Sequence, residues 1–498
     1  MKKYPNIIMI LADDMGEWAM GCSGNDDVCT PNIDSLAAEG TLFENFFCAS
    51  PVCSPARASI LTGTMPSVHG IHDWLSCGNL PDQRFNGKIL PAEQYVAHLT
   101  AYTELLAEKG YVCALSGKWH LGDSLHKQKG FGRWFTIGQG GCRYFSPDIV
   151  ENGKLETRNE FVTDLITENA IKNIRELSAG SDPFYLSVHY TAPHAPWDKC
   201  ENKPYVWEKY KFKRFSSTPS CRALHPLMIV GGGCADNARQ RKKLLRGYYS
   251  AITSMDEGIG KIIVSLKECG VYDDTLIIFT SDNGMSMGHN GMFGKGNSTY
   301  PQSMHDSAVK VPFIMTGNCL GLRHGERIRG VCSHYDIMPT LIDLLDLDSE
   351  KVRQHLPGKS FAPLLRGLTD PSDFGSGVVA VSEYGMSKML RNERYKLVLR
   401  SESFDEFYDL KSDPEEKNNL AGDPETALTA EMMKAQLERF LSENTDPRYS
   451  CDGLTVSGHG QVADIVKDRY GCFDEWYRYR RPYAAKIFLK RHKKKKIK

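Results

Sequence analysis

Residues 6–14 read NIIMILADD, a run of mostly apolar residues that is followed at once by two aspartates. A short apolar run that ends in polar residues is typical of a strand buried on both faces of a sheet. Such a strand would deliver the carboxylates of Asp13 and Asp14 from its carboxyl end. Ligands of parallel sheets bind beyond the carboxyl ends of the strands. The stretch therefore predicts both a buried strand and a polar site at its end.

The same N-terminus imitates a secretory signal, because Lys2 and Lys3 precede the apolar run. The run is shorter than a signal core, and it meets aspartates where small residues and a cleavage site should follow. No other stretch is long enough to cross a bilayer. We therefore expect a cytoplasmic protein that is not embedded in a membrane.

The composition is that of a globular protein large enough for two domains. The chain has 498 residues, of which 41% are hydrophobic and 24% charged. Lys+Arg and Asp+Glu are equal at 61 each, so no overall field attracts nucleic acid or an anionic membrane. Any preference for anions must come from a local site.

Apolar runs alternate with helical patterns along the chain, which indicates an α/β domain with a mainly parallel central sheet between helices. Residues 183–190, 275–281 and 311–317 are further core strands; His194 follows the first of them, and Asp282 and Asn283 follow the second. Three strand ends thus point to one crevice. The predicted helices are 32–39, the segment after Pro55, 102–109, 161–177, 245–269 and 335–345.

The pattern predicts a large catalytic domain over residues 1–381 and a smaller C-terminal α+β domain with an antiparallel sheet over residues 382–498. A basic, aromatic and glycine-rich insertion interrupts the first domain at about 199–245. A helix is expected near 425–444. The basic tail from Lys490 is best interpreted as a solvated chain end rather than a site for a polyanion.

The strongest local signal is residues 53–63, CSPARASILTG. A cysteine just before a proline at a helix start lies among free N–H groups that favour an anion. Taken alone, Cys53 could also be a capping or low-pKa thiol. The chain has 15 cysteines and no C-x-x-C pair, so we interpret most of the others as small buried apolar residues with free thiols.

The segment C-x-P-x-R with its T-G end resembles the signature of the type I, formylglycine-dependent sulfatases of the alkaline phosphatase-like superfamily. The resemblance continues in order through LADDMG, TPNIDSLAAEGTLFENFF, GKWHLG, TAPHAPW, SDNG, GKGN and YDLKSDPEEKNNL, over nearly the whole chain. It implies an alkaline phosphatase-like fold and conversion of Cys53 to formylglycine (3-oxoalanine) by a maturation enzyme. Ala56 replaces the usual serine of the signature, which suggests a looser bacterial form.

Four residues at the strand ends offer only oxygen ligands: Asp13, Asp14, Asp282 and Asn283. Oxygen ligands suit a hard cation, Ca²⁺ or alternatively Mg²⁺, rather than zinc. The resemblance adds residue 53 to this metal site. The simpler alternative is that the carboxylates cap a helix and the asparagine lies in a turn.

Two lysines and a histidine stand in further motifs of the resemblance. Lys118 and His120 lie two residues apart and would face one side of an extended stretch, and Lys295 lies in a glycine-flanked loop. The resemblance implies that both lysines bind sulfate oxygens, and that Arg57 supports the formylglycine and the metal.

The resemblance also implies a two-step covalent mechanism. The hydrated aldehyde at position 53 attacks sulfur while His194 protonates the departing alcohol. The second hydroxyl, deprotonated with the help of His120, then collapses to the aldehyde and expels sulfate. The expected substrate is a small-molecule or oligosaccharide sulfate ester, with a sulfated glycan or glycosaminoglycan favoured.

Other aromatic residues are weaker candidates. His69 and His72 follow the nucleophile helix closely and could line the substrate pocket, where Trp74 could stack on a sugar, and His289 could support the site. Tertiary structure could equally turn each of them elsewhere.

Three other functions remain open at this point. A phosphonate or phosphate diester hydrolase of the same fold would use the same nucleophile and metal. A noncatalytic protein that binds sulfated glycans would not need the complete set of catalytic candidates. A phosphomutase or alkaline phosphatase relative would carry Ser or Thr at position 53 and ligands for a second metal.

Overall fold

The computed structural model describes residues 4–220, 223–228, 238–371, 374, 377–382, 387–401, 403–454, 456 and 460–473. The glycine run at 231–233 and the basic tail from Lys490 lie outside them. No helix within these ranges is both long and apolar enough to cross a membrane.

The first strand, β1 (Asn6–Ala12), is buried along its whole length. Its side chains alternate between two hydrophobic clusters, because successive residues of a strand point to opposite faces. Ile7 and Leu11 join one cluster, and Ile8 and Ile10 join the other. The predicted strand buried on both faces is confirmed.

Strand β1 lies inside a ten-stranded sheet and runs parallel to both of its neighbours. The antiparallel pairs lie toward the two edges. In spatial order the strands are Glu326–Ser333, Thr41–Phe47, Phe313–Thr316, Thr275–Ser281, Asn6–Ala12, Phe184–His189, Val112–Gly117, Arg133–Ile137, Asp148–Glu151 and Lys154–Thr157.

Helices cover both faces of the sheet. Every predicted helix is present, and its observed ends lie within one or two residues of the predicted ones, with a single exception. The helix predicted from residue 245 begins at Ala238, because its first turns are rich in Arg and Lys and carry no apolar period. The helices are Pro31–Glu39, Cys53–Thr62, Pro66–His69, Tyr102–Glu108, Val162–Ser178, Pro204–Lys209, Ala238–Glu268, Asp306–Val309, Ile337–Leu345, Ala362–Leu365 and Ala427–Glu443.

The predicted antiparallel sheet of the C-terminal part is confirmed. Its four strands are Val378–Ser382, Ser387–Arg391, Tyr395–Arg400 and Glu406–Asp409. The division of the chain at residue 381 stays a prediction.

A buried ion cluster ties this small sheet to helix Asp306–Val309. Lys396 contacts Asp306 and Glu416 and donates to the carbonyl of Met304 at 2.9 Å. Burial raises the pKa of Asp306, but the charges of Lys396 and Arg391 outweigh it and hold the pKa below its usual value. The cluster therefore compensates its charges internally, as buried ions must.

After helix Ala427–Glu443 the chain returns to the large domain. We call residues 445–473 the C-terminal segment. Val52, which precedes Cys53, packs in one hydrophobic cluster with Cys451, Ile465 and Phe473 of this segment. A stretch far away in sequence therefore lies beside the predicted nucleophile.

Candidate active site

Two strand ends form the floor of the site. The N–H of Asp282 donates to the carbonyl of Ala12 at 3.1 Å, and the N–H of Asp14 donates to Asp282 Oδ1 at 3.1 Å. These bonds fix the two strand ends side by side. Carboxylate oxygens of Asp13, Asp14 and Asp282 consequently lie within 4.8 Å of one another, and all three residues are buried.

Cys53 is the first residue of helix Cys53–Thr62, and the whole helix is buried. Its Sγ lies 2.7 Å from Lys295 Nζ and 3.9 Å from Asp14 Oδ1. Burial raises the pKa of the Cys53 thiol to about 12, although the charges of Lys118 and Lys295 act in the opposite direction. The unmodified side chain is therefore a protonated thiol near neutral pH.

Three cations face the three carboxylates. Arg57, one turn along the helix, contacts Asp282 Oδ2 at 2.9 Å and donates to the carbonyl of Lys118 at 3.1 Å. Lys118 Nζ lies 2.6 Å from Asp13 Oδ2. Each cation comes from a separate element of the fold, so the charges draw distant parts of the chain together.

Lys295 completes this set, with Nζ 2.8 Å from Asp14 Oδ1. Burial by itself raises the pKa of Asp13 and Asp14. Neighbouring cations, with Lys118 the strongest at Asp13 and Lys295 the strongest at Asp14, together outweigh this effect, so both pKa values fall below the usual range. The carboxylates are therefore ionised.

His194 follows the third strand end, as predicted, and closes the crevice. Its Nε2 lies 3.6 Å from Asp14 Oδ2, with the side chain 28% exposed. Its Nδ1 lies 2.6 Å from the carbonyl of Ala195, and because a carbonyl only accepts, Nδ1 carries a proton. Nε2 is therefore the nitrogen that faces the crevice. Asp13, Cys53 and His194 also lie within 4.8 Å of one another.

The backbone is not extended at His120. This residue has a left-handed φ of 57°, so the two-residue spacing from Lys118 does not by itself determine the side that the ring faces. Its Nε2 contacts the carbonyl of Leu75 at 3.1 Å, and its buried Nδ1 has no hydrogen-bond partner in the described structure. Burial and the charge of Lys118 lower the pKa of His120 well below its usual value.

A glycine makes room for this ring. A β-carbon on Gly140 would lie 2.0 Å from His120 Nε2, so only glycine permits the contact with Leu75. Gly140 is not among the residues predicted from the sequence. The adjacent glycines at 140 and 141 could have indicated a close approach of the chain to another group. No feature of the sequence indicates that the carbonyl of Leu75 contacts His120.

The oxygen ligands fit a hard cation. Asp13 Oδ1 and Asn283 Oδ1 are buried and have no hydrogen-bond partner among the described residues. Buried oxygens without partners are costly unless an ion or water satisfies them. A thiol is a soft ligand, so Cys53 would suit this oxygen set only after its sulfur is replaced by oxygen.

The weaker candidates lie outside this cluster. His69 is buried against Ser59 at 3.2 Å, and His72 is buried with Nε2 2.6 Å from the carbonyl of Tyr449. His289 packs on Trp18 with ring centroids 4.7 Å apart. Trp74 is partly buried beside the C-terminal segment.

Comparison with known proteins identifies the family. The model of the sulfatase family matches residues 5–347, and a C-terminal model described as N-sulphoglucosamine sulphohydrolase matches residues 300–443. The chain therefore belongs to the sulfatase family and is a sulfuric ester hydrolase. The family uses a formylglycine and a divalent metal ion.

Individual relatives are distant in sequence but similar over most of their length. The chain is 26% identical to an ulvan-active sulfatase of Formosa agariphila over 90% of this chain and 83% of the relative. It is 27% identical to an N-acetylglucosamine-6-O-sulfatase of Bacteroides thetaiotaomicron over 90% and 87%. A protein solved in complex with its substrate D-glucosamine-2-N,6-O-disulfate shares the fold, with a TM-score of 0.73, 24% identity and coverage of 89% and 99%.

The space around His120 gives a first prediction. Gly140→Ala should lower kcat on a sulfate ester by at least about tenfold, because the ring must move and general acid–base catalysis contributes about 10² to 10⁴. Its melting temperature should stay within a few degrees. Gly132→Ala is the control, since its β-carbon would meet nothing closer than 3.8 Å; equal kcat values for both variants would contradict the prediction.

Proposed function

We propose that this sulfatase hydrolyses a sulfate ester on a carbohydrate, using a formylglycine made from Cys53 by a maturation enzyme. The observation that carries the proposal is the position of Cys53 Sγ, 2.7 Å from Lys295 and within 4.8 Å of Asp13 and His194. Nucleophile, anion-binding cation and proton donor therefore share one crevice. The ulvan and N-acetylglucosamine sulfatases among its relatives support a sugar substrate.

The charged groups divide the work of binding the ester. Lys118 and Lys295 bind the sulfate oxygens. Each is a buried lysine whose ammonium group is held at the crevice by an ion pair, Lys118 with Asp13 and Lys295 with Asp14. Arg57 holds Asp282 in its orientation through the paired contacts at 2.9 Å. A formylglycine supplies an oxygen nucleophile that the Cys53 thiol lacks.

The two histidines divide the proton transfers. His194 donates a proton from Nε2 to the departing alcohol, since Nδ1 is committed to the carbonyl of Ala195. His120 accepts a proton at Nδ1, the nitrogen without a partner in the described structure; its lowered pKa keeps the ring neutral, so that the lone pair on Nδ1 is free.

We propose calcium as the metal, held by Asp13, Asp14, Asp282 and Asn283. Magnesium is the alternative. The oxygens come from neighbouring loop residues after two strands, and Ca²⁺ tolerates irregular oxygen ligands better than Mg²⁺, which demands near-ideal octahedral geometry. The ion would polarise the sulfate oxygens and offset charge in the transition state.

The alternative function is hydrolysis of a phosphonate or phosphate diester by the same residues. A sulfate ester carries a single negative charge, and two lysines and an arginine oppose the three carboxylates at this site. The fold alone does not decide between the two esters, so their relative rates must be compared directly.

The function is tested on protein produced beside a competent maturation enzyme. The peptide that contains Cys53 should show the mass of formylglycine, and only this material should release sulfate from a panel of sulfated mono- and disaccharides. Cys53→Ala should be inactive. A higher rate on a phosphonate monoester than on every sulfate ester, or full activity with unmodified cysteine, would refute the proposal.

Calcium is tested by thermal melting after chelation. Adding Ca²⁺ at 100 times its Kd should stabilise the folded protein by about 2.7 kcal/mol and raise its melting temperature, with a smaller effect of Mg²⁺. Asn283→Ala should weaken the Ca²⁺-induced shift, while Asn318→Ala at an exposed position should keep it. An unchanged shift in Asn283→Ala would exclude this residue as a ligand.

The acid is tested by varying the leaving group. A sugar alkoxide must be almost fully protonated as it leaves. A nitrophenolate has a low pKa and leaves with little protonation. His194→Ala should therefore lose about 10² to 10⁴ in rate on a sugar sulfate and much less on nitrophenyl sulfate. Equal losses on both substrates would show that His194 positions the sulfate or the metal instead.

A further inference from the structure

The peptide groups of Leu75 connect the nucleophile helix to His120. The N–H of Leu75 donates to the hydroxyl of Ser54 at 3.1 Å, and Ser54 is the neighbour of Cys53. The carbonyl of Leu75 accepts from His120 Nε2 at 3.1 Å. The position of one loop residue is thus coupled to both parts of the site.

The contact with Leu75 also sets the tautomer of His120. A carbonyl cannot donate, so Nε2 must carry the proton and the lone pair of a neutral ring must lie on Nδ1. Nδ1 is buried and without a partner in the described part of the chain, which leaves it available as a base. If the carbonyl of Leu75 moved away, the proton of His120 would no longer be held on Nε2.

Gln461 of the C-terminal segment holds the main chain on both sides of Leu75. The N–H of Gln461 donates to the carbonyl of Trp74 at 2.8 Å, and its carbonyl accepts from the N–H of Ser76 at 3.0 Å. These two bonds form a parallel bridge between Leu75 and Gln461.

The side chain of Gln461 fixes the loop further upstream. Its Oε1 accepts from the N–H of His72 at 2.9 Å, and its Nε2 donates to the carbonyls of Gly70 at 3.0 Å and Ala463 at 3.1 Å. Gln461 has no exposed surface. One amide therefore satisfies three main-chain groups and ties the loop of residues 70–76 to the C-terminal segment.

Gln461 lies beyond the regions that the chain shares with the family models, which end at residues 347 and 443, whereas the loop of residues 70–76 lies within the first of them. Asn79 also donates to the carbonyl of Leu75, at 2.9 Å. Gln461 anchors the loop from the C-terminal segment, where Tyr449 and Gly460 add single contacts with His72 and Asp73.

We propose that Gln461 is a positioning residue for the hydrolysis. It fixes residues 70–76 so that the carbonyl of Leu75 keeps the proton of His120 on Nε2 and leaves Nδ1 free to accept one. The proposal rests on the proposed function, in which His120 acts after the alcohol has departed.

The kinetic test compares Gln461→Met with Gln354→Met. Gln354 has the same pattern of contacts, accepting from Thr100 N–H and donating to the carbonyls of Thr62 and Thr100, but it does not touch the loop. Methionine keeps the side-chain volume and removes the hydrogen bonds. With an activated aryl sulfate the alcohol departs fast, so that the following proton transfer limits kcat.

Gln461→Met should lower kcat by about tenfold or more and KM in parallel, leaving kcat/KM within about twofold, because only a late step is slowed. Gln354→Met should keep both constants. Added to His120→Ala, Gln461→Met should cost no more than about twofold, since both changes act through one group. The proposal would be overturned if Gln461→Met kept the wild-type kcat, or if its kcat/KM fell as much as its kcat. It would also be overturned if the losses in kcat of Gln461→Met and His120→Ala multiplied in the double variant.

Amide hydrogen exchange tests the same coupling without activity. Gln461→Met should speed exchange in residues 70–76 and also in 117–122, which surround His120, while Gln354→Met should not. Gln461→Asn, whose amide is one methylene too short, should show the same changes if the methionine variant does not fold. Should wild-type protein hydrolyse no sulfate ester, the proposed function fails, and unchanged exchange at 117–122 would separately overturn this inference.

Discussion

Three carboxylates buried within 4.8 Å of one another are the constraint on which the rest of this structure depends. Unopposed, such a group of like charges would be protonated or would unfold the strand ends that carry it. Arg57, Lys118 and Lys295 oppose it, and they come from the nucleophile helix, from the end of strand Val112–Gly117 and from the loop after Asp282. Charge balance thus requires that these three elements meet.

The same balance brings the chemistry together. Arg57 lies one turn from Cys53, so that pairing Arg57 with Asp282 also brings residue 53 to the carboxylates. Lys295 contacts Asp14 and Cys53 at once. In the proposed function, a sulfate group that enters the crevice would meet cations whose positions are already fixed, and little reorganisation would be needed to bind it.

Four strands of the ten-stranded sheet could be predicted because each of them carries its own signal. The run of residues 6–14 contains both the period of a buried strand and the polar residues that end it, and its neighbours repeat this pattern at His194 and Asp282. The start of the long helix Ala238–Glu268 was harder to predict. Its first turns from Ala238 are exposed and charged, and an exposed turn carries no apolar period.

The parts of the site that escaped prediction act through main-chain atoms or through empty space. Gly140 matters for the side chain that it lacks, and Leu75 matters for its peptide group, which every residue possesses. The backbone at His120 could not be predicted for a related reason, since the two-residue spacing assumes an extended chain and His120 has a left-handed φ. Sequence motifs report side chains, and they say little about which carbonyl faces them.

The two histidines show why this distinction matters for the reaction. Both rings donate to a main-chain carbonyl, but His120 does so through Nε2 and His194 through Nδ1. His120 is buried near Lys118, which lowers its pKa and favours a neutral base. His194 is partly exposed, and its Nε2 lies 3.6 Å from Asp14 Oδ2. In the proposed mechanism, the acid and the base therefore differ only in the surroundings that the fold supplies, since the side chains themselves are identical.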